Sequence, residues 1–311
     1  MLYTENALNI LTTRTFPKKG PAWINNNLIG NESPSTLYQL LETHEYEFMK
    51  KRGQIESSIK KLGDCIDGVL AIGDSDFPAV RGNVKPADRP FAIFYKGDIS
   101  LLKESNLNIA VIGVLNPDDK VKLTEKMVTA EILKHGATIV SGLALGCDTI
   151  AHETALEHSG KTIAIMPCAL NEVIPKENKA LAQRIVDNDG LLISEYYEAP
   201  KSRNDMISRF IVRDRLQALF SDAVLLAASY APNNLGNDCG SRHAMEKART
   251  YGIKRGVIYN ESKHAHNPMY DLNRQLLHED QSIIRIDSSN MVDMVNRLVS
   301  KPIRSEERRV G

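Results

Sequence analysis

The sequence predicts an α/β fold: an extended, Rossmann-like, mostly parallel sheet with helices on both faces, plus a small N-terminal helical cap. Three observations predict it. Short continuous apolar runs recur from residue 109 onward, amphipathic stretches of helical length separate them, and glycines mark many of the turns between. Apolar strands alternating with such helices signify a parallel sheet covered on both faces. Right-handed crossovers make that sheet doubly wound, with ligands beyond the C-terminal strand ends.

Taken in order, residues 1–65 are polar and helical. Leu8, Leu11, Leu37, Leu40 and Leu41 recur at helical spacing, and Pro17, Gly20 and Pro21 interrupt them. A Gly- and Pro-rich passage from Gly63 to Pro90 holds a strand at 69–72, and another follows at 91–95. Strands are then expected at 109–112, 137–140, 162–166, 191–194, 223–227 and 256–259. Helices are expected at 122–135, 149–158, 178–188, 211–220 and 240–251. A mixed tail closes the series with a strand at 283–286 and a helix around 291–299. Residues 66–300 thus read as one Rossmann-like domain behind the cap at 1–65. The charged end, 301–311, reads as a disordered or non-native tail and is set aside.

The 39 basic and 39 acidic residues cancel, so any nucleic-acid contact needs a local basic patch. The four cysteines, Cys65, Cys147, Cys168 and Cys239, have neither CxxC nor zinc spacing. They fit reduced thiols in a cytoplasmic protein. No apolar run approaches the ~20 residues of a membrane helix, and no signal peptide is apparent at the N-terminus. The dinucleotide fingerprint GxGxxG and the Walker pattern are both absent, so no cofactor is expected, and no metal either.

Three passages carry the candidate site. In Ser141-Gly142-Leu143-Ala144-Leu145-Gly146, a buried strand runs through a glycine turn into a helix. Such a turn collects free N–H groups at the positive helix end and suits an anion; its structural alternative is a close strand-to-helix connection. Asp148 and His152 follow at i and i+4. They read as a metal or acid–base pair, or as a helix-start carboxylate and a structural histidine. The basic passage from Lys201 to Arg215 follows a strand end and holds Arg209, Arg213 and Arg215, whose planar guanidinium groups suit phosphate. Alternatively they pair with Asp205 and Asp214. Gly240 and Ser241 open another helix, again suited to an anion or to simple capping, with Arg242 and His243 adding charge.

In this order the motifs resemble the DprA/Smf family of DNA-processing proteins, roughly from Gly68 to Val299. Ile72 to Pro78 and Phe94 to Ile99 resemble its entry segment. Ser141 to Ala144 through Asp148 and His152 resembles SGLARGIDxxAH, and Ile174 to Leu181 resembles YPPENxxL. Ser194-Glu195-Tyr196 is similar to the start of SEYP. Phe210 with Arg213-Asp214-Arg215 and Ala218 resembles FPxRNRxIAGLS, and Asn273 to Leu277 resembles NxLI.

The resemblance implies single-stranded DNA in a basic pocket at the strand ends, a homodimer, and cooperation with a RecA-type recombinase in DNA uptake or recombination. Arg209, Arg213, Arg215, Lys201 and Arg242 would then contact phosphate. Ser141, Gly142, Gly146, Gly240 and Ser241 would shape the floor, and Tyr196, Tyr197 and Phe210 are available for stacking. The chain departs from the pattern in having Val114-Leu115 after Gly113 where the family has GSR. It also has Asp214 in place of Asn, Arg242-His243 in place of Leu-Ile, and no family-type winged helix. A second function stays open: a nucleotide sensor or nucleotide hydrolase on the related scaffold, with Glu195, Glu246 and His243 for acid–base work.

Overall fold

The computed structural model describes residues 2–233 and 240–300. Four helices come first: α1 (Glu5–Arg14), α2 (Pro21–Asn27), α3 (Pro34–Leu41) and α4 (Glu45–Lys60). Two strands follow, β1 (Gly68–Ala71) and β2 (Ala92–Gly97). The alternating part comprises β3 (Asn108–Ile112), α5 (Asp119–Leu133), β4 (Thr138–Ser141), α6 (Cys147–Glu157), β5 (Thr162–Met166), α7 (Lys179–Asp187) and β6 (Leu191–Ser194). It continues with α8 (Arg203–Leu219), β7 (Ala223–Leu226), α9 (Ser241–Tyr251) and β8 (Lys254–Ile258). A short helix α10 (Glu261–His264), α11 (Asp271–Glu279), β9 (Ile284–Ile286) and α12 (Met291–Val299) complete it.

All nine strands form one sheet in the order β1-β2-β6-β5-β4-β3-β7-β8-β9. The pairs β1–β2 and β2–β6 are antiparallel; every other pair is parallel. The Rossmann-like expectation therefore holds, with an antiparallel extension on one edge. Connections from β3 run towards β6 and those from β7 run towards β9, so the strand order reverses between β3 and β7. A crevice at such a reversal is where open α/β sheets receive ligands.

Strand alternation divides the core. Ile93, Ile163, Ile165, Leu191 and Ile193 face one apolar cluster, and their neighbours Ala92, Phe94, Ala164, Met166 and Leu192 face another. The second cluster is completed by Leu8, Leu11, Phe48 and Ile59 from the N-terminal helices. The helical segment thus shares a core with the sheet. Among the described residues, no helix is long and apolar enough to cross a membrane. Among the described residues, Cys65, Cys147 and Cys168 form no disulfide; Cys239 and the tail at 301–311 lie outside the described residues.

One expected boundary is corrected. The helix predicted at 211–220 begins at Arg203, eight positions earlier. Ser202 caps it by accepting from Asp205 N at 3.1 Å, and Asp205 pairs with Arg209 one turn on at 3.1 Å. The early turns lack an apolar stripe, and Ile207 and Ile211 point to solvent, so hydrophobic periodicity misses them.

Candidate nucleic-acid interface

The glycine turn sits where the strand pattern places it, at the C-terminal end of β4. Ser141 Oγ donates to Val111 O at 2.7 Å, tying β4 to β3. Gly146 has φ +77°, and a Cβ there would lie 2.3 Å from the carbonyl oxygens of Val114 and Leu115. Only glycine accommodates both the backbone angle and that approach. Gly142 is required for a different reason. A Cβ on it would lie 1.6 Å from Arg213 Nη1 and 2.7 Å from Asp148 Oδ2.

The turn is occupied by the protein's own charges. Asp148, in the first turn of α6, accepts from Ala144 N at 3.1 Å, filling a position an external anion would take. Burial pushes its carboxyl above the usual range, while Arg213 and the Ala144 N–H draw it back. Arg213 reaches in from α8, donates to Ile165 O at 2.9 Å, and lies 3.2 Å from Asp214 Oδ1. Burial lifts Asp214 to about 7, against the pull of Arg213 and with the push of Asp148. Its Oδ2 has no hydrogen-bond partner among the described residues and faces Gly240, where a Cβ would lie 2.4 Å away. Ser241, opening α9, donates to Gly113 O at 3.1 Å. Ser141, Gly142, Arg213, Gly240 and Ser241 therefore converge, around an internally compensated charge cluster.

The three arginines are 7%, 4% and 6% exposed at 209, 213 and 215, so none of them offers an open guanidinium group to solvent. Arg209 donates to Glu198 O at 2.7 Å and to Ala199 O at 3.2 Å, and lies over the Tyr196 ring at 4.2 Å. Arg215 forms a bidentate pair with Glu195 at 2.6 and 2.7 Å and donates from Nε to Asp88 O at 2.9 Å. The expected partners Asp205 and Asp214 are present, but for buried rather than solvated arginines. Lys201 is exposed, Arg242 is half-buried, and Phe210 is half-buried with its ring 5.7 Å from the Arg213 guanidinium. Tyr197 packs on Phe94 at 5.5 Å and belongs to the core edge.

His152 and Asp148 do not act as a pair. His152 is fully buried, its Nδ1 lies 2.7 Å from Thr162 Oγ1, and burial, followed by Arg213, holds its pKa down to about 3. The helix-start carboxylate and structural histidine are thus what the fold contains. Among the described residues, no cluster with metal-ligand character forms. Glu195 is held by Arg215, Glu246 is exposed on α9, and His243 is half-buried.

Two asparagines escaped residue-level reading. Asn178 Nδ2 donates to Leu143 O at 2.9 Å, Ala144 O at 3.1 Å and Thr149 Oγ1 at 2.8 Å, clamping the glycine turn. Asn273 Nδ2 donates to Ala227 O at 3.1 Å and Ile258 O at 2.9 Å, while its Oδ1 accepts from Ser229 N at 3.1 Å. Their signal was their place in two of the ordered motifs. Beside the turn, a groove of about 510 Å3 runs past Leu115, Leu145, Lys122 and Lys126.

A doubly wound α/β protein with glycine turns and a buried arginine cluster at its C-terminal strand ends is the class these features define. The chain belongs to the DNA recombination-mediator protein A family, whose pattern matches residues 68–286. It is 36% identical over 163 residues to the DNA processing protein DprA of Streptococcus pneumoniae, covering 52% of this chain and 54% of that protein. The chain spans about half the length of curated relatives it matches. The solved structure of the S. pneumoniae DprA superposes with a TM-score of 0.72 at 23% identity, over 97% of this chain and 100% of the other. DNA processing protein A from Helicobacter pylori, whose structure was described for its single-stranded DNA binding mode, matches with a TM-score of 0.55 at 30% identity. It covers 71% of this chain and 94% of that one.

Proposed function

We propose that this chain binds single-stranded DNA along the C-terminal edge of the sheet and serves in DNA processing or recombination. The groove beside the glycine turn carries this reading. Lys122 and Lys126 line it together with the exposed apolar side chains Leu115 and Leu145. Both lysines sit in exposed ion pairs, with Asp119 at 3.0 Å and Glu157 at 3.4 Å. Such pairs contribute about 0–1 kcal/mol and exchange readily for phosphate. Lys201 and Arg242 would extend the contact; Gly146 lines the groove, and Gly142, Gly240, Ser141 and Ser241 would shape its floor from the adjoining turns. Arg209, Arg213 and Arg215 would hold that floor in shape from beneath. The likeness to the Helicobacter pylori protein supports the same occupant. A homodimer, a RecA-type recombinase as partner and a cytoplasmic setting follow as parts of this proposal.

The test is oligonucleotide binding across a salt series. Each phosphate contact on a single strand contributes about −0.7 to the slope of log K against log salt. Reversing Lys122 and Lys126 to glutamate should weaken binding and flatten the slope. Absence of binding at low salt would overturn the proposal.

A further inference from the structure

The opposite edge of the sheet bears charge of another kind. There α9 ends, β8 begins and α12 ends, and a pocket of about 480 Å3 opens among them. That volume lies within the range of small-ligand clefts. Arg249, Lys254, Arg255 and Arg297 line it, with Asp280 as the acidic side chain of the wall. Arg255 is buried and paired with Asp280. Lys254 Nζ caps α12 by donating to Arg297 O at 3.2 Å and to Ser300 Oγ at 2.8 Å. Arg249 and Arg297 are exposed, and among the described residues neither guanidinium group has an ion-pair partner.

A position in the last turn of a helix accounts for either arginine singly, through the helix dipole. It does not account for two helix ends and a strand start converging on one hollow, because the charges repel. Burial and then Arg297 hold the Lys254 ammonium below its ordinary pKa. Arg255 is lowered by burial and by Arg249, against the pull of Asp280. The nearby carboxylate of Asp222 is committed to Arg81 at 3.2 Å. A chain without net charge thus holds a local excess of positive charge in a concave site. A bound anion would relieve it, and the planar fork of arginine matches phosphate oxygens.

We propose that this pocket is a second anion site, one that takes a phosphate group between Arg249 and Arg297, while Lys254 stays committed to the end of α12. Asp280 fixes Arg255 in the wall. The phosphate would come either from a free nucleotide or from a nucleic-acid strand. The site lies across the sheet from the DNA groove and stands independently of it.

Backbone amide spectra of the isotope-labelled full chain would be followed during titration with inorganic phosphate, adenosine diphosphate and a short oligothymidylate. Saturable shifts at Lys254 and Ser282 are expected. In the R249A/R297A variant they should weaken by about tenfold or more, since charge-assisted hydrogen bonds are lost. Both residues are exposed and their removal relieves repulsion, so a melting temperature no lower than the parent's serves as the folding control. Shifts with the oligonucleotide, together with a salt slope reduced by about 1.4 in the variant, would assign the site to a strand. Shifts with the small phosphates alone would assign it to a free nucleotide. Unmoved amides with all three ligands at low salt, or equal affinity in the variant, would overturn the proposal. Loss of oligonucleotide binding while phosphate still titrates the pocket would count against the DNA groove only.

Discussion

Arg213 at the C-terminal strand ends and the pair Arg249 and Arg297 at the N-terminal ends are placed in opposite ways. At the C-terminal edge Arg213 is buried, donates to a backbone carbonyl and sits between Asp148 and Asp214. At the N-terminal edge Arg249 and Arg297 project from helix ends into an open pocket. The difference comes from where each chain segment runs. Arg213 of α8 lies against the glycine turn at Gly142, so it is enclosed and needs internal partners. At the ends of α9 and α12, Arg249 and Arg297 are exposed among the described residues. A cluster of arginines in a sequence therefore marks a charged place in the fold, but burial decides whether it is a framework or a surface for ligands.

The largest test of this contrast is R213A. It removes the cation between two buried carboxylates, and breaking a buried pair costs about 3–5 kcal/mol. Urea denaturation should show that loss, whereas a single change at exposed Arg249 should fall within about 0.5 kcal/mol. Equal effects at the two positions would erase the distinction between the edges.

D214N sharpens it through pH. Unfolded, an aspartate releases its proton near pH 4; folded, Asp214 keeps it until about pH 7. Across that window the folded state binds the extra proton, so this contribution to stability falls as pH rises. The asparagine variant should equal the parent below pH 4. By pH 7 it should exceed it by at most about 4 kcal/mol, at ~1.4 kcal/mol per unit. His152, held near 3, works the other way: its unfolded form takes a proton below about pH 6.5, so stability falls with acidification. D214N should therefore show the steeper acid-side loss. A flat difference between D214N and parent from pH 4 to 8 would contradict the raised titration of Asp214.

A loss smaller than that of R213A is expected at G142A. Its methyl group meets the Arg213 guanidinium rather than backbone, and the side chain can shift. Overpacking of this kind costs about 1–3 kcal/mol. Melting curves read it, and combining G142A with R213A should give a loss smaller than the sum of the two.

Much of the fold was legible because apolar strand runs such as Ile109–Ile112 and Thr162–Met166 are nearly continuous, and glycines punctuate them. The first turns of α8 were not, because a serine cap and an ion pair hold them without an apolar face. At the site, the glycine turns and the location of the arginines were readable. Their occupancy was not, since Arg215 finds Glu195 twenty positions away and Arg213 finds a carbonyl on β5. Pairings of that kind arise from tertiary packing, which spacing along the chain does not encode. The anion pocket at the other edge was equally hidden. Arg249 and Arg297 each look like ordinary last-turn cations until the sheet brings their helices together.

The shared core has a practical consequence for dissecting this protein. The family match begins at Gly68, yet Val69, Ala71, Phe94 and Met166 are covered by side chains that lie before it, Leu8, Leu11, Phe48 and Ile59 among them. A fragment cut at the family boundary would carry a bare, greasy sheet face into solution. It would self-associate through that face, and an oligomer observed for it would report the cut, not the native assembly.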